Sequence, residues 1–349
     1  MSVTHGVYTV SLLNWVMSRI TLTVLSALLL TFAFAQNLNL PDGYSAAIVT
    51  EDLRGPTQMI IGPDDRLWLA QLAGGENSGT GQVTALSMEI GEREVLLDNL
   101  SKPTGIAVLD GYLWIAAERD LLRAPLTETE VGVPETVLSD LPFNGRSNGT
   151  LTVTPDGQLL YETSGRRAGN AAREGSGTLW RLDPDDPTNS VAVATGLKGA
   201  YAHTFNGEGQ LFSTEIGDDL VNGQAPPDEL NLIVEGGDYG WPQCYGNQEA
   251  ARNYGGTAQQ CAETRAPLAL FAPNSTPTSV VVSPFEDDTL LVALWGPVEA
   301  GVVKVSLDDG TVQPFIPGLR TPQHLLVEQG GSLLVSDFSR GTLYRITQD

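Results

Sequence analysis

The sequence predicts an all-β protein, on three observations. Its 349 residues include 38 Gly and 21 Pro, a density of turn formers that suits many short strands better than long helices. Apolar residues make up 41% of the chain and alternate with polar ones in short runs, with hardly any stripe at helical spacing; alternation with a period of two is what a half-buried strand requires. Finally, one pattern returns six times: a short alternating strand, a tight turn rich in Gly, Pro and Asp, then a second strand opening on Leu.

The six copies, in chain order, are PTQMIIGPDDRLWLAQ, PTGIAVLDGYLWIAAE, NGTLTVTPDGQLLYET, YAHTFNGEGQLFSTE, PTSVVVSPFEDDTLLVAL and PQHLLVEQGGSLLVSD. The first Leu of the second strand falls at Leu67, Leu113, Leu159, Leu211, Leu290 and Leu333, in steps of 46, 46, 52, 79 and 43 residues. Most copies precede a further strand pair, such as GTLWRLDP, GVVKVSL or GTLYRI. Units of roughly 40–50 residues holding about four short strands are the mark of a β-propeller, whose blades close into a ring. The expected architecture is a single six-bladed β-propeller with four-stranded antiparallel blades over residues 36–349, its ring closed by residues 40–50 pairing with the C-terminal strands. Two β-sandwiches would not return the same turn at the same place in each unit. The long fourth step marks a blade-four insertion at about 215–270.

Residues 1–35 read as a signal peptide. An apolar run from Ile20 to Phe34 follows Arg19, and Ala33-Phe34-Ala35 gives the small-x-small pattern at which such signals are cut. The run is too short for a membrane span. Met17-Ser18-Arg19 makes a more compact start than Met1, so either methionine is a candidate first residue. The protein is therefore expected to be secreted or periplasmic, without a membrane span after cleavage. In an oxidising compartment the only two cysteines, Cys244 and Cys261, are expected to close one loop as a disulfide.

With 19 Lys and Arg against 42 Asp and Glu, net −23, the chain excludes nucleic acid as a partner. Against that background Arg146, Arg166, Arg167 and Arg173 cluster on loops of blade three, and Lys198 and Arg320 stand on the loops leading into blades four and six. In a meander of strands a to d, the loop leading into a and the loop joining b to c share one mouth of the ring. The long b–c segments Gln71–Thr80, Ser164–Gly177, Glu215–Asp228 and Leu294–Ala300 gather there. A cationic mouth suits a small anionic ligand, since guanidinium groups grip carboxylates. Blade four adds Glu215, Asp218, Asp219, Asp228 and Glu229 beside glycine turns, the oxygen-rich setting a calcium ion takes. Of the two histidines past the signal, His203 occupies an apolar repeat position and reads as core. His324, expected near the mouth beside Arg320, is the better candidate base.

The run PPDELNLIVEGGDYGWPQCYG resembles the signature of the quinoprotein glucose/sorbosone dehydrogenases, and weaker correspondences extend from about residue 40 to the C-terminus. The resemblance implies a six-bladed propeller that oxidises a sugar with pyrroloquinoline quinone (PQQ) and calcium. It implies that Glu229 and the Tyr239 carbonyl hold a structural calcium, that Gly217 and Asp218 offer carbonyls to the cofactor's calcium, and that Asp228 is an active-site acid. Arg146 stands where the family carries its catalytic His, Lys198 keeps one cation of a GLRN motif, and Asn274 replaces another family His. Arg146, Arg166, Arg167, Lys198 and Arg320 are the expected holders of the cofactor's carboxylates. Because Arg cannot accept a proton, two other readings stand beside sugar oxidation: an inactive propeller that binds carbohydrate or protein, and a calcium-dependent lactonase-type hydrolase.

Overall fold

The computed structural model describes residue 1 and residues 38–74, 80–127, 130–146 and 148–349. The expected signal peptide, and part of the Gln71–Thr80 loop, lie outside the described residues. Residues 38–349 form one compact unit, a six-bladed propeller that is almost entirely strand.

Blade one comprises strands Pro56–Ile61, Leu67–Gln71, Gly81–Leu86 and Arg93–Leu100; blade two comprises Pro103–Leu109, Tyr112–Ala117, Asp120–Pro125 and Glu135–Leu138. Blade three opens with the short Thr152–Val153, followed by Leu159–Thr163, Thr178–Leu182 and Ser190–Thr195. Blade four holds His203–Phe205, Leu211–Glu215, Asp228–Ile233 and Ala269–Phe271, and blade five Pro277–Val282, Thr289–Leu294, Gly301–Ser306 and Val312–Pro317. Blade six takes Pro322–Val327, Leu333–Asp337 and Thr342–Gln348 from the C-terminus and its outermost strand, Tyr44–Thr50, from the other end of the unit. That antiparallel pairing runs from Tyr44↔Gln348 to Thr50↔Leu343 and closes the ring.

The repeat explains the packing. The six leucines that open the second strands are all buried, because a four-stranded blade is covered on both faces by its neighbours. Each contact between adjacent blades is a cluster of aliphatic and aromatic side chains: Leu291, Phe315, Leu325 and Tyr344 between blades five and six, for example, and Ile106, Leu113, Trp68 and Val83 between one and two. Polar side chains fill the channel. Gln58 donates from blade one to the Leu151 carbonyl and accepts from the Ile106 and Leu151 amides, and Gln323 reaches the Tyr201 hydroxyl at 2.9 Å. These bonds tie blade one to blades two and three, and blade six to the loop entering blade four.

The insertion departs from the expected meander. A c–d connection belongs at the far end of a blade, yet in blade four this connection climbs back. Gly237–Asp238 adds a fifth strand, parallel, to the outer strand of blade three, and the Trp241 amide then bonds to the Gly196 carbonyl. This detour delivers Tyr239 and Trp241 to the mouth. The Cys244–Cys261 disulfide ties its return. Replacing both cysteines by alanine is expected to lower stability by about 3 kcal/mol, the loop-closure value for a cross-link of this span; a denaturant midpoint unchanged from wild type would count against that role.

Candidate functional site

Three adjoining cavities occupy the mouth. The largest, about 480 Å³, is lined by Thr57, Leu72, Lys102, Thr104, Asn144, Gly145, Arg146, Glu162, Gly199, Tyr201, Ile216, Thr276, Thr278, Trp295, Gln323 and Phe338. A second, about 260 Å³, shares Asn144, Arg146, Ile216 and Thr276 with it and adds Gly165, Arg166, Arg167, Lys198, Gly217, Asp218, Asp219, Asp228, Trp241 and Asn274. A third, only about 20 Å³, lies under Lys198, Gly217, Asp218 and Trp241 and reaches Glu215, Glu229, Tyr239 and Tyr245.

The second cavity gathers four of the five cations expected to hold a cofactor, and three of them are paired with acids. Arg167 lies 3.5 Å and Lys198 3.9 Å from Asp218, whose Oδ2 also accepts from the Trp241 indole at 3.0 Å. Arg146 lies 3.3 Å from Asp219, and the Arg167 guanidinium stacks 3.6 Å over the Tyr254 ring. Asp228 lines the same space, with Oδ1 accepting from the Gly217 amide and Oδ2 from the Thr276 amide. Burial pushes its pKa up. Both its oxygens are engaged in joining the blade-four loop to the blade-five loop, so its geometry is that of a clamp.

Two expected residues are elsewhere. Arg320 lines none of these cavities: its amide bonds to Asp337 Oδ2 and its side chain points into solvent. His324 also stands away from the mouth. Gln323 faces the cavity, so the next residue on the strand faces the neighbouring blade, and His324 Nδ1 accepts from the Met59 amide at 3.4 Å. Burial pushes its pKa down to about 3, which makes it a weak base. His203 is buried against the Ala200 carbonyl, 2.7 Å from Nε2, with its pKa down at about 4, as a core histidine should be.

Two residues that sequence reasoning missed are central. Lys102, on the loop into blade two, is 9% exposed and lies 5.7 Å from the Phe143 ring. Glu162, 2% exposed, lies on the second strand of blade three and accepts from the Ala200 amide. Desolvation pushes its pKa up to about 8, with Lys198 opposing the shift. Gly149 opposite has φ +66°, and a Cβ there would stand 3.0 Å from Glu162 Oε1 and 2.4 Å from the Tyr201 carbonyl, so glycine is what lets the carboxyl pack there. A lone Glu within Leu-Leu-Tyr-Glu-Thr was the only signal available.

The smallest cavity carries an electrostatic problem. Glu215 and Glu229 are directly paired across two strands, an arrangement that like charges disfavour. Both are buried and both pKa values are raised, that of Glu229 to about 7, chiefly by desolvation. Asn231 Nδ2 donates to both, at 3.0 and 3.3 Å, while its Oδ1 is buried without a hydrogen-bond partner. A single cation of oxygen-seeking type answers all three features, and the space is about one water in size. Among the described residues no three acidic, His or Cys side chains cluster as a metal site, so such an ion would draw on main-chain oxygens as well. The Tyr239 hydroxyl is engaged with the Leu232 carbonyl and the Val234 amide.

The glucose/sorbosone dehydrogenase family model matches residues 116–294, slightly more than half of the chain, and spans the whole of blades three and four with their loops. The chain belongs to the glucose/sorbosone dehydrogenase family. Its fold is shared with a carbohydrate-active enzyme from Trichoderma reesei (TM-score 0.72, 19% identity, covering 89% of this chain and 97% of that one). It is shared too with the PQQ-bound aldose sugar dehydrogenase of Streptomyces coelicolor (0.70, 18%, 88% and 99%) and the holo PQQ domain of pyranose dehydrogenase from Coprinopsis cinerea (0.68, 17%, 89% and 97%). At these identities the likeness is one of fold. No curated protein matches the chain. For this member of the glucose/sorbosone dehydrogenase family, no helix among the described residues is long and apolar enough to cross a membrane.

Proposed function

We propose that the protein is a secreted or periplasmic sugar dehydrogenase that uses PQQ and calcium at the mouth of the propeller. The observation that carries this reading is the meeting of two connected cavities. One gathers Arg146, Arg166, Arg167 and Lys198 beside Gly217 and Asp218; the other has room for a sugar, with a buried carboxyl on its wall. Export is supported by the disulfide and by the apolar, small-x-small N-terminal sequence.

The donor set fits both groups. The carboxylates of PQQ would be held by Arg166, Arg167 and Lys198 with Arg146 at the shared wall, Gly217 and Asp218 offering main-chain oxygens to its calcium, and a second, structural ion would sit between Glu215 and Glu229 with Tyr239. When bound, the quinone supplies a two-electron acceptor and calcium a positive charge beside it. The chain's own residues do the rest. Trp295 and Phe338, edge to face with centroids 6.3 Å apart, give an apolar wall for a sugar ring. Thr57, Thr104, Thr278 and Gln323 offer hydroxyl and amide groups from the inner strands. Glu162 takes the hydroxyl proton, the task for which Arg146 is chemically unfit.

Two measurements test this reading. Lys198→Ala is expected to weaken PQQ binding at least about tenfold, or about 1.4 kcal/mol, in calorimetric titration. Failure of the wild type to bind PQQ at micromolar concentration in the presence of calcium would overturn the quinoprotein reading and favour a carbohydrate-binding propeller. Chelation is expected to lower the melting temperature, because an ion held at about a hundred times its Kd contributes roughly 2.7 kcal/mol to the folded state; Glu229→Gln should remove that sensitivity. An unchanged melting curve with chelator would remove the structural ion.

A further inference from the structure

At the end of the ring opposite the mouth, a groove of about 450 Å³ runs between blades three and four. We infer that it binds a cationic polypeptide segment, one that presents a bulky apolar side chain between lysines or arginines. Leu160, Phe205, Leu211 and Ile233 line the groove as buried or half-buried side chains, and Leu232 and Val234 as exposed ones. Its origin is the same detour that builds the mouth. The outer strand of blade four, Ala269–Phe271, pairs only with Asp228, Glu229 and Leu230, so the far half of Asp228–Ile233 has no strand laid beside it. The Tyr239 hydroxyl stands in for that strand at two main-chain groups, the Leu232 carbonyl and the Val234 amide. The side chains are left uncovered: Leu232 and Val234 are 37% and 38% exposed, and Val153 and Val191, at the same end of blade three, are exposed as well. Aliphatic groups gathered at one place on the surface are what a partner's apolar side chain covers.

Charge selects the partner. Asp156 and Glu208 stand in the a–b turns of blades three and four, and Asp183, Asp185 and Asp186 in the c–d turn of blade three. Among the described residues, none of these carboxylates is in an ion pair. Arg181, the base on the groove's lining, is held by both oxygens of Glu235 at 2.8 and 3.4 Å. The groove therefore offers an apolar surface framed by uncompensated negative charge. Lysine or arginine on either side of an apolar residue meets that charge, whereas an acidic segment of the same shape is repelled. The exposed aliphatic residues and the acids extend across two blades, which suits a length of chain better than a small cation. A partner docked here leaves the mouth open, because the two sites lie at opposite ends of the ring.

The test is calorimetric titration of the full chain, at low and at high salt, with three synthetic heptapeptides: KLKFKLK, KSKSKSK, in which serine replaces the apolar residues, and ELEFELE, in which glutamate replaces lysine. KLKFKLK is expected to bind at least about tenfold more tightly than either control at low salt, with an affinity that falls as salt screens the charge. Leu232→Ser and Val234→Ser should each weaken it at least about fivefold. Val234 lies past the end of its strand, so its variant decides if Leu232→Ser fails to fold. Asp156→Asn combined with Glu208→Gln should reduce the salt dependence, and Lys198→Ala, at the mouth, should leave peptide binding unchanged. KSKSKSK binding as tightly as KLKFKLK would mean charge alone, and ELEFELE binding as tightly would mean apolar contact alone. Either result overturns the inference, as does binding of none of the three peptides at millimolar concentration, or binding that neither serine variant weakens.

Discussion

Glu162→Gln is expected to lower kcat for sugar oxidation at least about a hundredfold, the lower end of what a positioned base contributes, while KM changes little. The substitution keeps size and hydrogen bonding and removes only the ability to take a proton. In the wild type, the pKa pushed up to about 8 by burial means that the active, ionised form grows as pH rises through 8. A kcat that climbs through that range and then levels is the expected profile, and Glu162→Gln should flatten it. Stability supplies an independent readout. A carboxyl whose folded pKa lies above its unfolded value contributes stability that is complete below the unfolded value, near 4.5, and lost as pH rises through about 8. The glutamine variant should lose that alkaline decline. A variant with wild-type kcat and pH profile would exclude Glu162 as the base.

On the acid side of the stability curve the two buried histidines make a testable contribution. His324 is pushed down to about 3 and His203 to about 4 by burial, so each stays neutral in the folded protein while the unfolded chain takes up protons below about 6.5. The stability this represents is present above pH 6.5 and lost as pH falls toward those folded values. For His324 alone the loss reaches roughly 4 kcal/mol at the bottom of that window, taking 1.36 kcal/mol per unit. His324→Asn sets an amide oxygen near the place of Nδ1, preserving an acceptor for the Met59 amide. Denaturation midpoints measured from pH 7 to pH 4 should fall less steeply for this variant than for wild type. Parallel slopes would mean that His324 is protonated in the folded state.

Architecture was legible in the chain because it rests on repetition. Six leucines at matching places define six blades, and the register observed for the second strands starts at or one residue before each of them. The site was legible only where it coincides with loops. Arg146, Arg166, Arg167 and Lys198 lie on the segments that any propeller brings to one mouth, and the sequence places them there. Glu162 and Lys102 escaped notice because a strand interior or a short connecting loop gives no periodic cue that one polar side chain faces a cavity. Arg320 and His324 failed for a geometric reason: a single step along a strand changes the face a side chain occupies, and loop position alone does not say where a side chain points. The path of the insertion was hidden too. Nothing in Gly236-Gly237-Asp238 shows that it will lie parallel against blade three and not turn at the far end of its own blade.

Ring closure has a consequence for how the protein is made. The strand Tyr44–Thr50 belongs to the same sheet as Thr342–Gln348, and the Asp349 amide bonds to the Gly43 carbonyl. The early strand leaves the ribosome with no partner and waits through the synthesis of every blade until the final strand arrives. Until then both of the edges that meet in blade six are open, and they are the places where an unfinished chain would pair with a neighbour. The same adjacency makes the order of blades a matter of chain connectivity: joining residues 43 and 349 by a short linker and opening the chain at the tight Pro155-Asp156-Gly157 turn would move the seam from blade six to blade three, with the loss of Leu38 and Leu40 from the cluster between blades five and six.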